Sequence, residues 1–171
     1  PDDLTPLEAN KMGEILVNGP QVMQGYWRNA KATSEVFVNI KSRQFLRTGD
    51  LGYRDEDGFF SIADRIKRMI NAAGFKVWPA EVESILYKNP KIKEVAIISS
   101  PHQRRGETVK AIIVLKDQFK NTTDKEIISW SKENMAAYKV PRLVSFVPNL
   151  PKSGTGKIQW RSLQEEEWRE K

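Results

Sequence analysis

The stretch KRMINAAGFKVWPAEVESILYKN, residues 67–89, decides the fold of the second part of the chain. Its beginning predicts a β-hairpin with Gly74 near the tip, because glycine adopts the backbone conformations that tight turns require. Its end predicts a helix with Pro79 at the first position and with Glu81 and Glu83 near the positive end of the helix dipole. The apolar stripe of that helix consists of Val82, Ile85 and Leu86. A hairpin followed by an amphipathic helix indicates a small α+β unit.

Two apolar strands and two helices follow this stretch. EVAIISS (residues 94–100) and KAIIVLK (residues 110–116) are rich in β-branched residues and predict buried strands. Thr123 or Asp124 is expected to cap the amphipathic helix KEIISWSKENM. The end of the chain, WRSLQEEEWREK (residues 160–171), reads as a polar surface helix. This order predicts a short sheet flanked by helices.

The first part of the chain is rich in predicted β-structure. GEILVN (residues 13–18) alternates like a strand, and Asn29 is expected to cap a short helix. FLRTGDLGYRDEDGFFSIADR (residues 45–65) predicts two strands joined by the turn DEDG. The fold class is therefore α+β, with a β-rich part over residues 1–64 and a compact mixed part over residues 65–171.

Composition restricts the kinds of site that the 171 residues can form. The absence of cysteine excludes disulfides, thiolate zinc sites and cysteine nucleophiles, and is consistent with a reducing cytoplasm. His102 is the single histidine, so a histidine-based metal site is not expected, and no metal ligand is identified in this segment. The net charge of +6 suits polyanionic partners such as nucleotides, CoA or nucleic acid.

The ends and apolar runs of the sequence set expectations about its location. No apolar run approaches the roughly 18 residues that span a bilayer, and PDDLTPLEAN lacks the features of a signal peptide. We therefore expect a cytoplasmic protein without a transmembrane segment. Because the chain starts without methionine, shortly before a strand-like stretch, we expect it to be a fragment.

The stretch PKSGTGKIQW, residues 151–160, places Gly154 and Gly156 directly before Lys157. Taken alone, SGTGK is most simply a glycine-rich surface turn with a solvated lysine. A phosphate-binding P-loop is excluded, because the spacing GxxxxGK[ST] is absent. The chemistry of Lys157 therefore depends on the motifs around it.

Four motifs in order carry a family resemblance: GEILVNGPQVMQGYW, FLRTGDLGY, DRIKRMINAAGFKVWPAEVES and PKSGTGKIQWRSL. They resemble the C-terminal motifs of the adenylate-forming enzymes, the acyl-CoA synthetase and luciferase superfamily, over nearly the whole chain. GFKVWPAEVE and AAYKVPR are most similar to the medium- and long-chain fatty acyl-CoA ligases.

The resemblance implies an ATP-dependent, AMP-forming acid–thiol ligase as the full-length protein. Such an enzyme forms an acyl-adenylate from ATP and a fatty acid, and then transfers the acyl group to CoA, with Mg²⁺ whose ligands lie outside this segment. Residues 1–64 would end the large AMP-binding domain, and residues 65–171 would form a mobile lid with two working poses. The missing N-terminal domain would be the lid's partner, and the segment alone would be inactive.

The resemblance also implies roles for four residues toward the nucleotide and for one hinge residue. Lys157 would be the mobile cation that stabilises charge as the carboxylate attacks the α-phosphate. Asp50 would accept hydrogen bonds from both ribose hydroxyls, and Arg65 would reach the ribose or the phosphates. Lys76 would contact the nucleotide, and Lys67 would be the hinge whose backbone torsions absorb the lid rotation. The simpler alternatives are that Asp50 is a turn residue, that Arg65 forms an ordinary surface ion pair with Asp64, and that the lysines are merely solvated.

A second group of residues is implied for CoA. Ala73, Gly74 and Phe75 would border the pantetheine passage, because glycine has no Cβ to obstruct it. Arg105 and Lys132 would meet the CoA phosphates. The simpler alternatives are that Gly74 is a turn residue and that Arg105 and Lys132 are solubilising surface charges.

The sequence also bears on the apolar core and on other functions. Trp78 and the apolar stripe after it are expected in the core. A nucleic-acid-binding module is disfavoured, because basic residues are spread among acidic ones and no known nucleic-acid motif occurs. A non-catalytic interaction domain and a ligase for aromatic or short-chain acids remain alternatives.

Overall fold

The computed structural model describes residues 4–169, which contain four α-helices and nine β-strands. The predicted α+β class is confirmed. The chain divides into two compact units, a first unit that ends at Lys67 and a second unit that begins at Arg68.

The first unit is an antiparallel sheet with one short helix. Its elements are β1 (Gly13–Val17), α1 (Ala30–Val36), β2 (Phe37–Ile40), β3 (Arg43–Arg54) and β4 (Phe60–Arg65). The long strand β3 pairs with the other three strands. Asn29 caps α1 as predicted, because its side-chain oxygen accepts the Ala32 N–H at 3.0 Å. Gly58 has a φ of +91° in the turn between β3 and β4, as expected for a turn glycine.

The second unit is a five-stranded sheet covered by helices on both faces. Its elements are β5 (Ile70–Ala72), β6 (Phe75–Val77), α2 (Pro79–Leu86), β7 (Ile92–His102), β8 (Gly106–Leu115), α3 (Asp124–Asn134), β9 (Leu143–Phe146) and α4 (Trp160–Arg169). The strand order is β6-β5-β8-β7, all antiparallel, and β9 pairs with β8 in parallel. Residues 170–171 of the predicted last helix lie outside the described residues.

The two faces of the sheet have separate apolar cores. Val95 and Ile97 of β7 face α2 and α3, whereas Ala96 and Ile98 face α4, because successive strand residues point to opposite faces. The stripe of α2 packs as predicted: Val82 and Leu86 are fully buried, and Ile85 is half-buried. The second face is closed by Leu150, Ile158 and Leu163.

The last helix differs from the polar surface helix that was predicted. Glu167 is only 5% exposed. Its carboxylate accepts a hydrogen bond from the Ser100 hydroxyl at 2.6 Å and forms an ion pair with Lys110. Burial of this charge is possible because β7 and β8 supply its partners, which a local sequence pattern does not reveal.

Candidate functional site

Lys157 lies on a tight loop between Leu150 and α4. The Ser153 N–H donates to the Lys157 carbonyl at 2.8 Å, and the Gly156 N–H donates to the Ser153 carbonyl at 2.9 Å. Gly156 has a φ of +79°, a conformation that favours glycine. A Cβ added at Gly154 or Gly156 would meet no atom within 4 Å, so the outer side of the loop is open. The loop thus presents an exposed lysine on a closed backbone turn.

The base of this loop is fixed to the second unit. Lys152 and Ile158 form a β-bridge across the loop ends. Ile158 packs into the core beneath α4, and the Lys152 ammonium lies 2.8 Å from the Glu94 carboxylate on β7. These contacts hold the loop ends, so Lys157 projects from an anchored base.

Asp50 and Arg65 lie opposite each other on β3 and β4 of the first unit. The Arg65 Nε is 2.9 Å from the Asp50 Oδ1, and the two side chains are 61% and 21% exposed. The Asp64 carboxylate accepts the Arg65 backbone N–H at 2.7 Å. Because a guanidinium has five N–H donors and a carboxylate has about four acceptor sites, the pair retains capacity for a ligand.

Two further lysines of the predicted site are exposed. Lys67 lies in a 3₁₀ turn, Ile66–Arg68, at the end of the first unit. Lys76 lies on β6 opposite Asn71. The cationic side chains at both positions are accessible to a solvent-borne anion.

The turn between β5 and β6 brings several CoA candidates together. Ala73 and Gly74 have φ values of +57° and +89°, and the Gly74 N–H donates to the Asn71 side-chain oxygen at 2.9 Å. Ala72 pairs with Gly106 on β8, which places the neighbouring Arg105 beside this turn. A Cβ added at Gly74 would meet no atom within 4 Å, so the space beside the turn is open.

Phe75 connects this turn to a second basic region. Its ring stacks on Tyr138 with the centroids 5.0 Å apart. Lys139, next to Tyr138, forms an ion pair with Glu81, and this hydrogen bond raises the pKa of Lys139 above its ordinary value. Lys139 therefore stays protonated and engaged with Glu81 at neutral pH.

Lys132 lies a short distance along the same segment, in a groove of about 360 Å³. The groove is lined by Ile128, Lys132, Ala137, Val140, Pro141 and Arg142. Two cations beside an apolar floor suit an amphipathic anion. The sequence analysis assigned no role to Arg142, although the motif AAYKVPR ends on this residue. The Arg142 backbone N–H donates to the Val109 carbonyl oxygen at 3.0 Å, which fixes Arg142 beside β8.

Lys157 and the Gly74 turn lie toward opposite ends of the β7–β8 hairpin. The Lys157 loop is tied near the start of β7 through Glu94, and the Gly74 turn is tied to Gly106, which pairs with His102 at the end of β7. Eight residues of strand span about 27 Å. The second unit therefore has two separate basic regions, and Lys76 on β6 lies beside the Gly74 turn and not with Lys157.

No cluster of three or more metal-binding side chains occurs among residues 4–169. Within the same residues, no helix is long and apolar enough to cross a membrane.

Comparison with known proteins shows a family match in the second unit. Residues 81–157 match the family described as AMP-binding enzyme C-terminal domain. The long-chain-fatty-acid–CoA ligase of Bacillus subtilis is 46% identical over 91% of this chain and 27% of its own length. The corresponding ligase of Escherichia coli O157:H7 is 41% identical over 96% of this chain and 28% of its own length. A probable 4-coumarate–CoA ligase 3 of Dictyostelium discoideum is 41% identical over 93% and 28%.

Solved structures also match most of this chain. ATP-bound MatB from Rhodopseudomonas palustris superposes with a TM-score of 0.85 and 35% identity, over 94% of this chain and 31% of that one. The o-succinylbenzoate CoA synthetase MenE of Bacillus subtilis, in complex with its acyl-adenylate intermediate, has a TM-score of 0.79 and 33% identity, over 92% and 31%. The chain spans a little over a quarter of the curated relatives' length.

Proposed function

We propose that this chain, whose residues 81–157 match the AMP-binding enzyme C-terminal domain family, is the C-terminal portion of a fatty acid–CoA ligase. The full-length protein joins a long- or medium-chain fatty acid to the α-phosphate of ATP and releases pyrophosphate. The CoA thiol then attacks the acyl carbon and releases AMP. The observation that carries this proposal is the 41–46% identity to long-chain-fatty-acid–CoA ligases along almost the whole segment.

Lys157 supplies the positive charge for the first step. The attacking carboxylate and the α-phosphate are both anionic, so an ammonium between them lowers the barrier. An exposed lysine on an anchored loop supports this role, because the loop positions the ammonium before charge develops. Asp50 receives the ribose hydroxyls, and Arg65 and Lys76 bind toward the ribose and phosphates. Mg²⁺ accompanies ATP, with ligands outside this segment.

Lys67 is the proposed hinge between the two half-reactions. The division of the chain into compact units directly after Lys67 supports this role, because a hinge belongs between bodies that move separately. Residues 1–64 then form the end of the large domain, and residues 65–171 form the lid. The missing N-terminal domain is the lid's partner.

The Gly74 turn and the nearby basic groups serve the second step. Ala73, Gly74 and Phe75 border the pantetheine, and the open space beside Gly74 supports this assignment. Arg105 and Lys132 bind the CoA phosphates. Arg142, which lines the same groove as Lys132, joins them.

The experiment that tests the proposal separates the two half-reactions in the full-length enzyme. Lys157→Ala should lower fatty-acid-dependent pyrophosphate exchange by about 10²-fold. Thioester formation from supplied acyl-adenylate should be preserved. Lys120→Ala is the matched control, because it removes an exposed lysine that lies outside this loop and pairs with the neighbouring, exposed Asp117. Equal losses in both steps for Lys157→Ala would give Lys157 a structural role instead.

The acid specificity and the activity of the isolated chain are tested separately. A panel of fatty, aromatic and short-chain acids should give the highest pyrophosphate release with fatty acids. The 41% identity to a probable 4-coumarate–CoA ligase favours an aromatic acid as the second candidate. The 171-residue chain alone should form no acyl-CoA with any acid, and turnover by it would overturn the two-domain assignment.

The remaining assignments concern nucleic acid and location. Many basic side chains are engaged in ion pairs with carboxylates, which argues against a nucleic-acid surface and for no nucleic-acid partner. Examples are Arg47, Lys91, Lys110 and Lys139.

A cytoplasmic location agrees with the absence of cysteine. Fractionation of cells that express the full-length protein tests it.

A further inference from the structure

Arg68 is the first residue of the second unit and follows the proposed hinge directly. Its side chain is only 14% exposed, and its Nη2 lies 2.5 Å from the Glu83 carboxylate on α2. The same nitrogen approaches the Ile97 carbonyl oxygen of β7 at 3.5 Å. The guanidinium carbon lies 5.4 Å from the ring centroid of Trp160. One side chain therefore touches α2, β7 and the start of α4.

Glu83 makes the contact with β7 rigid. Its carboxylate accepts the Ile97 N–H at 2.9 Å while it is paired with Arg68. β7 is an edge strand, and the outward backbone groups of an edge strand have no partner within the sheet. Arg68 and Glu83 together cover this edge at Ile97. A shift of Arg68 relative to β7 would separate its guanidinium from the Glu83 carboxylate and the Ile97 carbonyl oxygen, and is therefore resisted.

Trp160 extends the contact toward Lys157. It begins α4 and lies three residues after Lys157. Ile158, between them, packs in the core under α4. Gln164 anchors the helix further along, because its side-chain oxygen accepts the Ser99 N–H of β7 at 2.9 Å. The segment from Lys157 to Trp160 is therefore short and held at several points.

We propose that Arg68 is a positioning residue that couples the hinge to the Lys157 loop through Trp160. When the backbone rotates at Lys67, Arg68 keeps α2, β7 and α4 fixed relative to the hinge. Lys157 then arrives at the α-phosphate in one orientation. This inference rests on the proposed function, and it concerns the adenylation step.

The CoA step does not need this coupling. The Gly74 turn belongs to β5 and β6, and β5 begins at Ile70, two residues after Arg68. The backbone alone therefore connects that turn to the hinge. Loss of the Arg68–Trp160 contact should accordingly impair one half-reaction and spare the other.

Arg161 provides a matched control. Its guanidinium carbon lies 5.6 Å from the same indole ring, almost as close as that of Arg68. However, Arg161 belongs to α4 itself and does not connect Trp160 to the hinge. Replacing it with lysine removes a guanidinium from Trp160 without interrupting the proposed coupling.

The experiment measures both half-reactions in the full-length enzyme. Arg68→Lys keeps a positive charge near Glu83 but loses the planar group that faces Trp160, and Trp160→Leu removes the ring. Each should lower the kcat of fatty-acid-dependent pyrophosphate exchange about tenfold, with the KM for ATP unchanged. Thioester formation from supplied acyl-adenylate should stay within about twofold of wild type. Trp160→Phe, which keeps an aromatic face, should restore most of the loss.

The double variant and the controls decide the outcome. Arg68→Lys combined with Trp160→Leu should lose no more than either single change, because both interrupt one path. Arg161→Lys should behave as wild type. Multiplicative losses in the double variant, equal losses in both half-reactions, or an Arg161→Lys defect as large as that of Arg68→Lys would overturn the coupling. If Arg68→Lys fails to fold, Trp160→Leu and Trp160→Phe decide, since Arg68 and Glu83 stay intact in both.

Lys157→Ala, measured alongside, separates this inference from the proposed function. A selective adenylation loss in Lys157→Ala together with normal Arg68→Lys and Trp160→Leu enzymes would overturn the coupling alone. An unaffected Lys157→Ala enzyme would overturn both the role of Lys157 and the coupling that depends on it.

Discussion

Replacing Glu167 with alanine should destabilise the second unit by about 3 kcal/mol. The carboxylate is 5% exposed and pairs with the Lys110 ammonium, whose side chain is 17% exposed. Removing one partner of a buried ion pair costs about 3–5 kcal/mol, because the other charge stays buried without its counterion. The lower end applies here, since Lys110 retains some contact with water. The lost hydrogen bond from Ser100 contributes to the same total.

The assay is urea and thermal unfolding of the 171-residue chain. A loss of about 3 kcal/mol corresponds to a melting temperature lower by about 12 °C or more for a domain of about 100 residues, the size of the second unit. Glu165→Ala is the matched control on the same helix, because Glu165 lies 3.9 Å from Arg169 and both side chains are largely exposed. That control should cost at most about 0.5 kcal/mol.

The comparison of the two variants tests the reasoning about burial. If Glu167→Ala costs no more than Glu165→Ala, the buried pair does not stabilise the packing of α4. Glu167→Gln adds a second measure, because an amide can still accept the Ser100 hydrogen bond but carries no charge. It should lie between wild type and Glu167→Ala. A glutamine variant as stable as wild type would show that the charge itself contributes nothing.

Three further predictions concern the helix cap, pH and the CoA turn. Thr123→Ala should cost about 1 kcal/mol in urea unfolding, because Thr123 and Glu126 form a reciprocal capping box. Thr155→Ala is the control, because Thr155 is an exposed loop residue outside the helices, and a Thr123→Ala loss no larger than that of the control would contradict the cap. The Lys91 ammonium and Thr123 hold the pKa of Glu126 below its ordinary value, so its contribution to stability is present above the unfolded-state pKa and disappears as pH falls through the folded-state pKa. The difference in urea midpoint between wild type and Glu126→Gln should therefore shrink from about pH 7 to about pH 3, and a constant difference would refute it. Gly74→Ala and Gly74→Leu share the strain of a positive φ, about 1 kcal/mol, but only leucine adds bulk beside the turn. We expect Gly74→Leu alone to block thioester formation while adenylation stays intact. Equal loss of thioester formation in both variants would leave Gly74 a turn residue.

Local elements could be predicted from the sequence because their determinants lie within a few residues. Asn29 reaches the N–H of Ala32, Thr123 reaches that of Glu126, and Gly58 closes its own turn. The buried strands β7 and β8 could be predicted from their apolar runs, because short runs rich in β-branched residues are typical of strands buried in a sheet. β9 was missed, since its four residues are only half-buried or exposed and owe their pairing to β8.

The candidate site shows the same division. The glycine-rich loop before Lys157 and the turn at Gly74 could be located from their residues, and the structure places both on the second unit. The sequence did not show that Arg142 shares a groove with Lys132, or that Arg68 faces Trp160, ninety-two positions away in the chain. It also gave no sign that Glu167 would be buried against Lys110. Such contacts depend on which helix packs against which strand. The total apolar surface removed from water and the pairing of every buried charge decide that packing, and both are properties of the whole folded chain.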